Sequence, residues 1–294
     1  MVGTRQKSAI ELIAQTSAID FLDYMRLARD HWWTDSAQDW VFRGVSNAAY
    51  NLLPTALRPI TDEPKTQLKE ERRKLLDREK SKDPSKPEFE YWHLAMREGV
   101  KSFIEEAMQF GHRFPHGTTI VLHDDPQFSI AQHHGIPTFL LDWTFNPLVS
   151  AFFCCEGWCE KNKPDVAIWC LNDSLRQKTA PGYMAENCRE TDLEKDCFAA
   201  FGCQLIVPQR GISEYLLAQS GVFTWIEGKY ENGIWLGADQ ILEKHEFDEP
   251  FLRKITLPGA EVPALKKLLD REGMSLARLM PTLDNIARTA RSRW

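Results

Sequence analysis

The stretch Gln132-His133-His134-Gly135-Ile136-Pro137-Thr138-Phe139-Leu140-Leu141-Asp142-Trp143-Thr144 constrains this chain more than any other. Gly135 and Pro137 fix a rigid turn. Leu140-Leu141 anchor the segment in a core, and Asp142-Trp143-Thr144 sets a carboxylate, a flat aromatic and a hydroxyl in succession. Asn146-Pro147 follows, with Asn146 placed to cap a helix and Pro147 to open it. Pro147 to Cys155 therefore reads as a strongly apolar helix packed beneath the run.

Two distant segments share that character of polar groups set against Gly or apolar residues: Phe42-Arg43-Gly44 and Ala218-Gln219-Ser220-Gly221-Val222-Phe223. Arg43 ends the apolar strand Asp39 to Val45. A guanidinium there needs an anionic partner, and it is the group best shaped to fork a phosphate or carboxylate. Two readings stay open: a bound anion, or an internal pair with Asp142. Gly44 lets a ligand or another backbone come close. Asp142 reads as a structural acceptor for nearby backbone N–H groups, and Trp143 as core filler rather than a stacking platform. A buried amide at Gln219 demands partners, while Glu227 and Glu214 flank the same strand.

The rest of the chain supplies a frame. Residues 8 to 33 show apolar positions at helical spacing, with a break at Thr16-Ser17. Thr66 to Lys80, Glu88 to Phe114, Phe128 to His134 and Val262 to Gly273 read as helices, with a last helix starting near Pro281 to Asp284. Ala167 to Leu171, Leu205 to Val207, Gly221 to Ile226 and Phe251 to Leu257 read as strands, and Leu171 to about Asp196 as a polar stretch. Helices first and short strands later argue α+β, with a mixed or antiparallel sheet core and several packed helices. The expected division is a helical segment over 1–35 and one domain over 36–294.

Exclusions follow from composition and motif. No apolar run approaches the roughly 20 residues that cross a bilayer, and the N-terminus has no long apolar core of a signal peptide. Together with the Cys pattern, this makes cytoplasm the expected location. Seven Cys form no recognisable framework, and the eight His no metal signature, so no metal is expected. His133 or His134 invites a general-base role. The chain contains no G-x-S-x-G elbow, P-loop or G-x-G-x-x-G. Net charge is −6, but Lys65 to Lys82 and Phe251 to Trp294 are locally basic. Such stretches attract anionic partners or form solvated helix faces.

From Asp39 onward, these motifs and the Leu279-Met280-Pro281-Thr282-Leu283-Asp284 ending resemble the FRG-domain family. The chain departs from that family at His134, where Tyr is commoner, and at Phe139, where Arg is usual. The order of motifs is in turn similar to that of ADP-ribosyltransferases, which implies an ADP-ribosyltransferase-like fold with NAD as co-substrate. It implies Arg43, Thr144 and Gln219 as catalytic residues, with Gly44, Ser46, His134, Thr138, Trp143 and Phe153 joining Arg43 and Thr144 around NAD. Gln219 stands where a Glu is expected, so Glu227 or Glu214 becomes a candidate for the acidic role. The resemblance further implies a toxin or antiviral defence effector that modifies nucleic acid, RNA in the first place, or protein, and that has a cognate antitoxin. The alternatives are a non-catalytic nucleotide- or nucleic-acid-binding module and a metal-independent nuclease toxin.

Overall fold

The computed structural model describes residues 7–31, 40–59, 67–114, 126–179, 191–202, 205–207 and 218–291. Its strands are β1 (Lys7–Ser8), β2 (Ile10–Ala14), β3 (Trp40–Val45), β4 (Leu140–Thr144), β5 (Val166–Asn172), β6 (Leu205–Ile206), β7 (Gly221–Trp225), β8 (Lys229–Glu231), β9 (Ile234–Leu236), β10 (Glu246–Phe247) and β11 (Leu252–Leu257). Its helices are α1 (Ala18–His31), α2 (Gln67–Lys82), α3 (Glu88–Gln109), α4 (Pro126–His133), α5 (Pro147–Glu156), α6 (Asp173–Thr179), α7 (Asp192–Phe201), α8 (Ala238–Leu242), α9 (Val262–Arg271), α10 (Leu276–Leu279) and α11 (Leu283–Arg291).

Seven strands join in the order β2-β11-β5-β3-β4-β7-β6. Neighbours run antiparallel except β2 and β11, which run parallel. The sheet is therefore mixed, and the α+β expectation holds. Both faces are covered. Val166, Ile168 and Cys170 of β5 pack with α1, α5 and α9, whereas Ala167, Trp169 and Leu171 pack with residues of α3, α4, α7 and α8. That explains why β5 is buried at every position and reads as an unbroken apolar run.

The aromatic side chains are largely core. Phe139 is fully buried, with Phe89 at 5.4 Å and Trp225 at 5.5 Å between ring centroids. A charged Arg at position 139 would meet these rings instead of a partner. Cys154, Cys155, Cys170 and Cys197 are buried free thiols. No helix among the described residues is long and apolar enough to cross a membrane.

Two sequence expectations need correcting. Residues 10–14 form strand β2, not the start of a helix; β11 offers them a parallel edge, and β-branched Ile10 and Ile13 suit it. Leu12 lies 74% exposed on that strand, so its place in the helical pattern was misleading. The polar stretch after Leu171 carries α6 and α7. The start of α7 is fixed by a capping box, in which Thr191 Oγ1 accepts from Glu194 N–H at 3.2 Å and Glu194 Oε2 accepts from Thr191 N–H at 2.8 Å.

Candidate functional site

The three polar segments meet at one cleft of about 430 Å³, whose walls include Arg43, Asp142, Thr144, Phe153 and Gln219. β3 and β4 bring the first two together. Phe42 pairs with Thr144 across these two interior strands, and Arg43, next along β3, reaches Asp142 on β4. Arg43 Nη1 donates to the Asp142 carbonyl at 2.8 Å and to its carboxylate at 3.3 Å. The Asp142 side chain is 52% exposed to the cleft. It accepts from side chains; the free N–H of Leu148 at the start of α5 is instead capped by Asn146 Oδ1 at 3.0 Å. The internal pair is thus formed, though its carboxylate still faces solvent, where such pairs contribute about 0–1 kcal/mol.

Gly44 is explained by backbone, not ligand. A Cβ there would lie 2.0 Å from the Ser150 carbonyl oxygen and 2.7 Å from Cys154 N. Only glycine lets α5 pack so tightly on β3, and this contact carries Phe153 and Glu156 to the cleft wall. Val149, Phe153 and Glu156, at i, i+4 and i+7, share one face of α5.

One hydroxyl closes the far wall. Thr144 Oγ1 donates to the Gln219 carbonyl at 2.6 Å and accepts from Asn146 N–H at 3.0 Å. It pins β4, the start of α5 and the turn into β7 together, so it has little capacity left for a ligand. Ser220, at φ 47°, holds that turn in the left-handed region, an unusual conformation for a residue with a side chain. The Gln219 amide donates to the Leu279 carbonyl at 3.0 Å. It ties the cleft to α10, and Met280 beyond it enters the lining.

Trp143 turns its indole into the core, where Nε1 donates to Thr224 Oγ1 at 2.9 Å. Ser46, His134 and Thr138 do not line the cleft. Ser46 lies against Gly157 at the end of α5. His134 is exposed, with its ring 5.7 Å from that of Phe103. Thr138 is buried. It donates to Gln132 Oε1 at 2.7 Å, and Gln132 Nε2 reaches Asp142 Oδ2 at 3.1 Å. Of the two histidines, His133 faces the cleft. Burial, and then the neighbouring His134, hold its pKa below the ordinary value against the pull of Asp142. The shift favours the neutral imidazole over the charged one.

Glu227 follows the end of β7 remote from Gln219 and is not in the cleft lining; burial raises its pKa to about 6. Glu214 lies outside the described residues. The second carboxylate of the cleft is Glu156, which pairs with Arg288 of α11 at 3.3 Å. Sequence reasoning missed it, although its spacing from Phe153 was a usable signal. It also gave Gln132 no role.

The basic residues of α2 are mostly partnered, whereas from Phe251 on ion pairs are formed by Arg253 and Arg288. On α2, Lys74 meets Glu70 at 3.4 Å, Lys80 meets Glu88 at 2.7 Å and Lys82 meets Glu79 at 2.6 Å. Arg253 pairs with Glu11 at 2.6 Å. Among the described residues, no three His, Cys, Asp or Glu side chains gather as a metal ion requires.

Neither the curated proteins nor the solved structures yield a match to this chain. Residues 38–163 match the family model of the FRG domain. That span runs from β3 through α5 and holds Arg43, Gln132 to Thr144, Phe153 and Glu156, while Gln219 and β7 lie beyond it. Over that stretch, a little under half of its length, the chain is similar to the FRG domain.

Proposed function

We propose that the cleft binds NAD and transfers ADP-ribose to a macromolecule. The observation that carries this reading is the convergence of Arg43, Thr144, Phe153 and Gln219, from segments far apart in sequence, on one concave site. Arg43 is held by Asp142 through a single nitrogen, Nη1, and the rest of its fork suits a phosphate. Phe153 offers an aromatic wall for a flat ring.

Cleavage of the nicotinamide–ribose bond builds positive charge on the sugar, which a nearby carboxylate opposes. Gln219 is neutral and already bonded to Leu279, so it positions at most. Asp142 is shared between Arg43 and Gln132. Glu156, whose Arg288 partner is 70% exposed, is the carboxylate best able to serve that charge. The ion pairing along α2 lends RNA no special weight over protein as the acceptor.

The test is incubation of the purified protein with labelled NAD and, separately, RNA, DNA and cell lysate. The reading expects label on one macromolecule, abolished in Arg43→Ala and lowered at least about 100-fold in Glu156→Gln, the scale on which charge-stabilising groups act. Wild-type protein that neither consumes NAD nor labels any acceptor would refute it. RNA shortening without NAD, lost on changing His133, would support a nuclease instead.

A further inference from the structure

We propose that β2 is a docking edge for a second copy of this chain, the two β2 strands pairing antiparallel about a two-fold axis at Leu12. The inference stands on the sheet alone and is independent of what the cleft binds.

β2 ends the seven-stranded sheet, with β11 as its one neighbour among the described residues. The bonds to β11 fix which backbone groups are engaged. Gln15 N–H donates to the Thr256 carbonyl at 2.9 Å, and the Ala9 carbonyl accepts from Phe251 and Leu252 N–H, each at 2.9 Å. Residues 9 and 15 thus face β11, and by alternation Glu11 and Ile13 do so too. Ile10, Leu12 and Ala14 turn their backbone groups to the open side. There the Ile10 N–H is taken by Ser8 Oγ at 3.3 Å, while those of Leu12 and Ala14 have no sheet partner among the described residues. Open edges are usually blunted by brevity, proline or lysine. At the other end of the sheet β6 is two residues long. β2 has five, Ile10-Glu11-Leu12-Ile13-Ala14, with neither proline nor lysine, and the Leu12 side chain is 74% exposed.

That edge is complementary to itself. With the axis at Leu12, Leu12 stands opposite Leu12 of the second copy, and Ile10 opposite its Ala14. Every outward-facing residue then meets an outward-facing residue, as hydrogen-bonded antiparallel pairs require. Their side chains share one face of the joined sheet and are all apolar, large against small at the two ends and leucine against leucine in the middle. A two-fold axis also sets each charge of the edge near its own copy. Glu11, the one charge of the strand, is already neutralised by Arg253 at 2.6 Å, so the pairing brings no unbalanced like charges together. The pair occupies the long edge of both chains, and assembly closes at two. Five-residue strands cover less than the roughly 800 Å² per partner of a stable interface, so the dimer forms only as concentration rises.

The experiment is sedimentation equilibrium of the full chain from micromolar to near-millimolar concentration, with hydrogen exchange read residue by residue by NMR. The pairing predicts a monomer–dimer equilibrium and no larger species. Exchange of the Leu12 and Ala14 amides should slow about 10-fold once about nine-tenths of the chains are paired, whereas Ile13, whose N–H faces β11, should be protected at every concentration. Leu12→Lys sets two ammonium groups face to face and should weaken pairing at least about 10-fold. Because position 12 is exposed, the melting temperature of the dilute protein should stay that of the wild type. Ala14→Pro removes an outward N–H without touching the bonds to β11, and should weaken pairing as well. A wild type that is monomeric at the highest concentration would overturn the proposal, as would growth beyond the dimer. So would a dimer that Leu12→Lys leaves intact, or one whose Leu12 and Ala14 amides exchange as fast as in the monomer.

Discussion

The Thr138 hydroxyl donates to the side-chain oxygen of Gln132 at 2.7 Å, and this fixes which way the Gln132 amide points. With its oxygen taken, the amide nitrogen is left facing Asp142 at 3.1 Å, and Asp142 in turn receives Arg43. Thr138 therefore touches the cleft through two intermediaries. A buried residue sets the orientation of an exposed carboxylate.

Thr138→Val should expose that dependence. The change leaves Gln132 Oε1 and the Leu140 N–H, which donates to Thr138 Oγ1 at 3.1 Å, without their partner. A cost of about 1–3 kcal/mol is expected for such buried groups, read from urea unfolding. NAD affinity should fall as well, although position 138 lies outside the cleft. Thr138→Ser keeps the hydroxyl and should recover most of both.

Gly44→Ala should be far more damaging than its size suggests. The added methyl would overlap the backbone of α5 at Ser150 and Cys154, which cannot swing aside as a side chain does. We expect a loss of about 3 kcal/mol or more, at the severe end for overpacking. The melting temperature checks it. Gly99, with open space around it, provides the control, since Gly99→Ala in mid-helix α3 should be stabilising.

Glu227 predicts a pH dependence separate from the cleft. Its pKa rises from 4.5 to about 6 by burial, so the folded state binds more protons than the unfolded state between those values. Stability from this group is full below pH 4.5, declines as pH rises through 6, and then stays at the lower level. The difference is about 2 kcal/mol at most. Glu227→Gln should therefore stabilise the protein at neutral pH and lose that advantage near pH 4. Paired urea titrations at the two pH values measure it.

Gln219→Ala should loosen one short segment. Without the bond to the Leu279 carbonyl, amides of Leu279 and Met280, which donate to Ser275 and Leu276, should exchange roughly 5-fold faster, as loss of about 1 kcal/mol implies. Amides within α5 should not change. Hydrogen-exchange mass spectrometry resolves the two regions.

Much of this was legible in sequence, for reasons that differ by residue. Arg43, Thr144 and Gln219 stood out because a polar group beside glycine or within an apolar run needs a partner, Phe153 entered through the resemblance alone, and the fold brings all four to the cleft. His133 and His134 could not be separated, because neighbours at a helix end differ by about 100° in direction. Thr138 precedes β4, so strand alternation gives no guide to its direction. Gln132 needed the third dimension: its role follows from what stands on either side of it in space. At the N-terminus, apolar spacing suited a helix over residues 10–14, and the parallel partner that made it a strand lies at the opposite end of the chain.

That last pairing has a temporal consequence. β3 bears Arg43 and emerges early in synthesis, but it is flanked by β5 and β4, and β5 needs β11 on its other side. β4 waits likewise for β7. Such distant pairings close slowly and only after their later members exist. A nascent chain, or one cut short by a stalled ribosome, displays the arginine without the wall that Gln219 and Met280 complete. The ribosome must pass Met280 before the cell contains a single assembled cleft.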